Sequence, residues 1–68
     1  MMTKNNYYFA FSDHIERVCS EIDVRKKRTN FVRFFQDNWE DRSAKEVSPE
    51  DFAEEAIASL GLKKKAKR

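Results

Sequence analysis

The sequence predicts a mainly α-helical protein with one N-terminal β-strand, in the order β-α-α-α. Aromatic residues alternate along residues 5–11, which is typical of a strand because successive side chains point to opposite faces. Apolar residues then recur at helical spacing in two stretches, at about 13–24 and 29–41. A third stretch, residues 49–60, lies between clear helix-start and helix-stop signals.

The predicted strand requires a partner. Its two faces carry different side chains, one with Tyr7, Phe9 and Phe11 and the other with Asn6, Tyr8 and Ala10. A lone strand leaves backbone hydrogen-bonding groups unpaired, and no second strand pattern is present in the sequence. We therefore expect the same strand of a second copy to complete the ladder, giving an intertwined homodimer. The short chain of 68 residues also favours oligomerisation, because so small a core supplies little stability.

The first predicted helix begins after Ser12, a good N-cap. An apolar stripe follows at i, i+3, i+4 and i+7, consisting of Ile15, Val18, Cys19 and Ile22. The next positions of the stripe fall on cations, so the helix is expected to end near Val24. The alternative is a single helix over 13–40, because no Gly or Pro lies between Phe11 and Ser48.

The second predicted helix is the most apolar, and its buried face carries Phe31, Phe35 and Trp39 at i, i+4 and i+8. For the third helix, Ser48 is the expected N-cap, followed by a proline at the first helical position. Gly61 is the expected C-cap. Residues 1–62 thus form one small domain, and 63–68 form a basic, flexible tail.

Charge is unevenly distributed, although the net charge is only +2. Residues 25–28 and 63–68 contain nine of the fourteen cations, whereas residues 37–55 contain eight of the twelve acids. A helix starting at Thr29 would place the first basic run at its positive dipole end, where an anion such as phosphate commonly binds. The predicted phosphate-binding residues are Arg25, Lys26, Lys27, Arg28, Thr29 and Asn30. The tail would add sequence-independent phosphate contacts from Lys63, Lys64, Lys65, Lys67 and Arg68.

Catalysis is not expected. The single histidine, His14, and the single cysteine, Cys19, are five residues apart, a spacing that diverges on a helix. With one glycine the chain has no glycine-rich phosphate loop, and neither a cofactor nor a metal site is predicted. No apolar run approaches the roughly 18 residues that cross a bilayer. A free cysteine without a secretion signal predicts a cytoplasmic location.

The order of strand, helix, basic junction and apolar helix resembles the ribbon-helix-helix family of DNA-binding repressors, which includes Arc-type and plasmid copy-number repressors. The resemblance covers residues 5–40 and is carried by 7–12, by the apolar positions of the first helix and by 28–32. It implies a dimer whose paired strands enter the major groove of double-stranded DNA, as in a transcriptional regulator. It also implies base-facing positions at Asn6, Tyr8 and Ala10. The junction lacks the family's usual glycine.

Residues 45–62 weakly resemble the last loop and helix of histone-fold proteins. An alternative function is a helical protein–protein interaction module, such as a virus- or plasmid-encoded inhibitor, an antitoxin or a small accessory subunit, without nucleic-acid binding. The acidic stretch 37–55 motivates this alternative, because it would repel DNA and suit a basic partner. In a toxin-neutralising role, residues 48–62 would bind the partner protein.

Overall fold

A computed structural model describes residues 3–65, which form three helices joined by short connections. Helix α1 spans Lys4–Val18, α2 spans Glu21–Ala44 and α3 spans Pro49–Leu60. Lys4 at the beginning of α1 lies over the Trp39 ring near the end of α2, and Lys27 in the first half of α2 donates to the Leu60 carbonyl at the end of α3. Consecutive helices are therefore antiparallel. α1 and α3 run in the same direction and pack most extensively against each other.

The predicted N-terminal strand is wrong, because residues 5–11 belong to α1. Thr3 caps this helix, its hydroxyl accepting a hydrogen bond of 3.1 Å from the backbone N–H of Asn6. The buried residues Tyr7, Phe11 and Ile15 are spaced at i, i+4 and i+8, which is a helical period that the alternating aromatics conceal. A helix pairs its own backbone groups, so the unpaired strand that required a second copy does not exist.

The β-α-α-α order and the ribbon-paired dimer are therefore also wrong. Within residues 3–65 there is no strand, only an isolated antiparallel bridge between Cys19 and Lys64. The break between the first two helices also lies at a different position from the predicted one. The chain breaks at Cys19 and Ser20, both in extended conformation, and α2 then continues without interruption across the predicted start at Thr29. Neither the two-helix prediction nor the single helix over 13–40 describes this arrangement.

The start of α2 follows from local chemistry. The Ser20 hydroxyl accepts a hydrogen bond of 3.3 Å from the Asp23 backbone N–H, and Glu21 and Asp23 lie in the first turn. Both acids complement the positive end of the helix dipole. The four cations at 25–28 thus lie inside a helix of 24 residues, beyond its first turn.

Helix α3 has the bounds and caps that the sequence predicts. The Ser48 hydroxyl accepts from the Asp51 backbone N–H at 3.1 Å, Pro49 is at the helix start, and Gly61 is left-handed with φ of 69°. Leu62 is buried against the last turn. Its backbone N–H donates to the Ile57 carbonyl at 3.1 Å, as is usual for this kind of C-cap.

The core is a cluster of aromatic rings completed by small and aliphatic side chains. Phe11 lies at its centre, with ring centroids 4.8 Å from Phe52 and 5.1 Å from Phe35. The Tyr7 hydroxyl donates to the Val47 carbonyl at 2.6 Å, tying α1 to the α2–α3 connection. The residues of this core come from all three helices, from the break between α1 and α2 and from the segment after α3: Tyr7, Phe11, Ile15, Cys19, Val24, Phe31, Phe35, Phe52, Ala53, Ala56, Ile57 and Leu62. No helix within residues 3–65 is long and apolar enough to cross a membrane.

Candidate nucleic-acid interface

Residues 25–28 and 63–65 lie at one end of the molecule, where α1 ends, α2 begins and α3 ends. The chain after α3 is held against the α1–α2 junction by two backbone hydrogen bonds, from Ser20 N–H to the Lys63 carbonyl and from Lys65 N–H to the Val18 carbonyl, each 2.8 Å. The Lys63 N–H also donates to an Asp23 carboxylate oxygen at 2.8 Å. We call this surface, residues 25–28 together with 63–65, the basic end.

Two cations of the first run have structural partners. The Lys27 ammonium donates to the Leu60 carbonyl at 3.0 Å, which satisfies a free carbonyl at the C-terminus of α3 and complements its dipole. The Arg28 guanidinium donates to Glu16 at 3.0 Å and lies 5.5 Å from the centroid of the Phe31 ring. The Arg28–Glu16 pair is half-exposed, so it holds the side chain in place while adding little stability.

Three further cations of α2 face solvent. Arg25, Lys26 and Arg33 are exposed, and no carboxylate within the described residues lies at salt-bridge distance from them. Thr29 and Asn30 are exposed in the middle of α2. They are not at a helix start, so the phosphate site expected at that dipole end is not formed there.

Helical geometry aligns four of these exposed residues. Lys26, Thr29, Asn30 and Arg33 follow the i, i+3, i+4, i+7 spacing of one helix face. We call them the α2 strip. Arg33 was not among the predicted site residues, although its spacing from Lys26 would have identified it if residues 21–44 had been interpreted as one helix.

Among the C-terminal lysines 63–65, one side chain is paired with a carboxylate and two face solvent. The Lys64 ammonium donates to Glu54 at 2.8 Å, and the other oxygen of this carboxylate is 2.7 Å from His14 Nε2. Hydrogen bonding from Lys64, and then from His14, lowers the pKa of Glu54. Lys63 and Lys65 are exposed, and neither side-chain ammonium has a carboxylate at salt-bridge distance within residues 3–65. The predicted tail residues Lys67 and Arg68 lie outside the described residues.

A cleft opens at the basic end, with a volume of about 620 Å³. Its floor includes the buried side chain of Val24. Its walls carry three cations and two carboxylates from three parts of the chain: Arg25, Arg28, Lys65, Glu16 and Glu21. Only the folded chain places Lys65 beside the two arginines.

The three predicted base-facing residues do not all share one surface, because Asn6 and Ala10 are four residues apart on one side of α1 and Tyr8 points to the other side. In α1, residues two positions apart point in nearly opposite directions. Asn6 is exposed, Ala10 is half-buried, and Tyr8 is half-buried with its ring 4.9 Å from that of Phe35. These residues therefore cannot form the base-reading face of a ribbon.

The opposite end of the molecule is acidic. Arg42 donates to Glu55 at 2.8 Å and to Asp41 at 2.6 Å, and Lys45 lies 3.3 Å from Asp41. Hydrogen bonding from Lys45, and then from Arg42, lowers the pKa of Asp41. The charges are therefore separated in space as well as in sequence, so one end attracts anions and the other repels them.

Cys19 lies beneath the basic end and is fully buried. Burial raises the pKa of its thiol, which keeps the sulfur in its unreactive protonated form. His14, the other side chain with catalytic potential, is hydrogen-bonded to Glu54. Within residues 3–65 no group of three His, Cys, Asp or Glu side chains is arranged to hold a metal ion.

No protein-family model, curated protein or solved structure matches the chain.

Proposed function

We propose that this protein is a small DNA-binding module that contacts duplex DNA through its basic end and the α2 strip. The observation that carries this proposal is the convergence of two basic segments, 25–28 and 63–65, on one end of the fold. Like charges brought together repel one another; Arg28 and Lys64 are paired with carboxylates of the chain itself, and a bound anion would relieve the repulsion among the other cations. Duplex DNA offers a dense array of phosphates to such a surface.

The α2 strip supplies side chains of the kinds that read DNA. An α-helix fits the major groove, where an arginine pairs with guanine and an asparagine with adenine. Arg33 and Asn30 are exposed on this strip, flanked by Lys26. Recognition helices commonly contact bases with their N-terminal part. The exposed acids Asp37 and Glu40 would keep the second half of α2 away from the phosphates.

The proposal is tested by measuring duplex binding across a salt series. We expect binding at about 50 mM salt that weakens as salt rises, since each phosphate contact contributes about −0.9 to the slope of log K against log salt. Lys26→Ala should reduce that slope by roughly one unit. Lys45→Ala is the matched control, because it removes the same charge from the acidic end. No binding, or equal losses in the two variants, would contradict the proposal.

A role in transcriptional regulation further requires sequence preference. Asn30→Ala should relax the preference at one position by about 1–3 kcal/mol in a competition between duplexes. Thr29→Ala, on the same strip, should weaken binding to all sequences if its hydroxyl contacts phosphate. If Asn30→Ala leaves the relative affinities for different duplexes unchanged, Asn30 does not read a base and this account of sequence preference is contradicted.

Protein–protein interaction is the second candidate, supported by an exposed aromatic side chain. The Phe9 side chain on α1 is 71% exposed, which is unusual for phenylalanine. The rings of Phe31, Phe35 and Phe52 are buried in the core, so they offer no surface to a partner. A partner that survives nuclease treatment in a pull-down and is lost with Phe9→Ser would favour this function.

A further inference from the structure

The cleft at the basic end has features that a row of surface lysines lacks. Its volume of about 620 Å³ is within the range of roughly 300–1,000 Å³ typical of small-molecule sites. Val24 gives it an apolar floor. Three cations line it from two helix turns and a segment that follows α3.

The cationic walls are held in place by the fold. Arg28 is positioned by its hydrogen bond to Glu16 and by the ring of Phe31. The backbone of Lys65 is anchored to the Val18 carbonyl. Arg25 lies on a continuous helix, one turn before Arg28. The backbones of all three cations are therefore fixed, as is the Arg28 side chain, so less conformational freedom is lost on binding an anion than in a flexible tail.

The lining of the cleft is net positive, since three cations outnumber the two carboxylates, and it therefore favours an anion. Glu16 is engaged by Arg28, whereas Arg25 and Lys65 have no carboxylate within salt-bridge distance among the described residues. A phosphomonoester carries about −1.5 to −2 charges near neutral pH, whereas an internal phosphodiester carries one. Because Coulomb attraction scales with ligand charge, a phosphomonoester gains more from this cleft. Arginine guanidinium groups also bind phosphate oxygens in pairs.

The carboxylates in the wall suit the rest of such a ligand. Glu21 is exposed and lines the cleft, and carboxylate oxygens accept hydrogen bonds from sugar hydroxyls. We propose that this cleft binds the phosphomonoester group of a nucleotide, either at the phosphorylated end of a DNA strand or in a free nucleoside monophosphate. The strand-end form rests on the proposed DNA binding, whereas the free-nucleotide form does not.

The first experiment is an amide NMR titration of the full chain with adenosine 5′-monophosphate, with adenosine as the ligand lacking phosphate. We expect the monophosphate alone to shift amide signals around Val24, Arg25 and Lys65. Arg25→Ala and Lys65→Ala should each weaken binding by about tenfold or more, because each removes a charge-assisted hydrogen bond.

The matched controls are Lys26→Ala and Lys63→Ala. Lys26 is adjacent in sequence to Arg25, and Lys63 lies two residues before Lys65. Each control variant removes one positive charge, and neither residue lines the cleft. Their affinity for the monophosphate should change less than about threefold, as expected for a screened charge outside the site. Circular dichroism confirms that each variant is folded. Equal losses in tested and control variants would show general charge attraction and overturn the proposal.

The second experiment distinguishes the two sources of the phosphate. Short duplexes with 5′-phosphate or 5′-hydroxyl ends are compared at one salt concentration, with wild type and with Arg25→Ala. Preference for phosphorylated ends that disappears in the variant identifies strand ends as the ligand. Monophosphate binding without end preference identifies the free nucleotide.

Failure of the inference and of the proposed function are separable. Duplex binding with neither monophosphate binding nor end preference overturns the inference and leaves the proposed function standing. Monophosphate binding without any duplex binding does the reverse.

Discussion

Phe9 and Phe11 provide the most direct test of the fold, because a strand would place them on the same face and α1 places them apart. Phe11 is fully buried, and its ring centroid lies between 4.8 and 6.3 Å from those of Tyr8, Phe31, Phe35 and Phe52. Truncating a buried phenylalanine costs about 3–5 kcal/mol. A domain of this size has about 3–5 kcal/mol of stability in total, so Phe11→Ala should leave the chain largely unfolded in water.

Phe9→Ala is the matched control, since it is the same substitution two positions earlier in the same helix. The Phe9 side chain is 71% exposed, so its removal should change the free energy of unfolding by less than about 0.5 kcal/mol. Alanine's higher helix propensity offsets part of any lost contact.

Far-UV circular dichroism in a urea series measures both variants. Phe11→Leu should retain a cooperative transition and lose about 1–2 kcal/mol, because it leaves a smaller cavity. This variant keeps the test informative when Phe11→Ala does not fold. Comparable losses at positions 9 and 11 would refute the helical assignment of α1, since equivalence is what a shared strand face requires.

Three further predictions concern the helix cap, the ion pair and the buried thiol. Gly61→Ala should lower the free energy of unfolding by about 1–2 kcal/mol in the same urea series. Left-handed backbone strain is the only cause, because an added Cβ meets nothing within 4 Å. Gly61→Asn should cost less, and equal costs for the two variants would contradict strain as the cause. Lys64 and His14 lower the pKa of Glu54 below its usual 4.5. Ionised Glu54 therefore stabilises the fold above that pH, and this contribution is lost as the pH falls through the lowered pKa. In Glu54→Gln the urea midpoint should fall less steeply with decreasing pH than in the wild type. An equally steep fall would contradict this role of Glu54. The Cys19 thiol, which is fully buried, should react with a thiol reagent slowly in the native protein and rapidly in denaturant, whereas rapid native labelling would show that the end of the fold opens.

Because residues 5–11 are helical and not a strand, the expected oligomeric state also changes. A homodimer was inferred because an orphaned strand needs a partner, and α1 has no such need. The core is built within one chain from all three helices. We therefore expect light scattering to give a mass near the 8.1 kDa of a single chain, and a stable dimer would have to use a surface other than a β-ribbon.

Local chemistry was sufficient to predict α3. Its cap residues, its first-turn proline and its terminal glycine act within a few residues of one another, so no distant contact has to be known. Residues 5–11 were different, because Tyr7, Phe9 and Phe11 satisfy a period of two while Tyr7, Phe11 and Ile15 satisfy a helical period. High strand propensity of aromatic residues favoured the wrong choice, and packing against α2 and α3 favours the helix.

The candidate site was predicted in part. The cations at 25–28 were singled out from their density and Thr29 and Asn30 from their position, but the reason given, a helix start, does not hold. Arg33 was missed because the break was placed at Val24 instead of Ser20. The basic tail was expected to be flexible, since nothing in its composition indicates that the backbone at Lys64 forms a bridge with the backbone at Cys19.

Amino-acid order alone specified where charge and aromatic side chains are concentrated along this chain, and where a helix with self-contained signals begins and ends. Which face of α1 is buried, and which cations become neighbours, depended on contacts between residues far apart in sequence. The physical reason is the sequence distance over which each interaction acts. Caps and turns act over three or four residues, whereas burial and charge clustering depend on how all three helices pack around Phe11. The cleft at the basic end is a consequence of that packing.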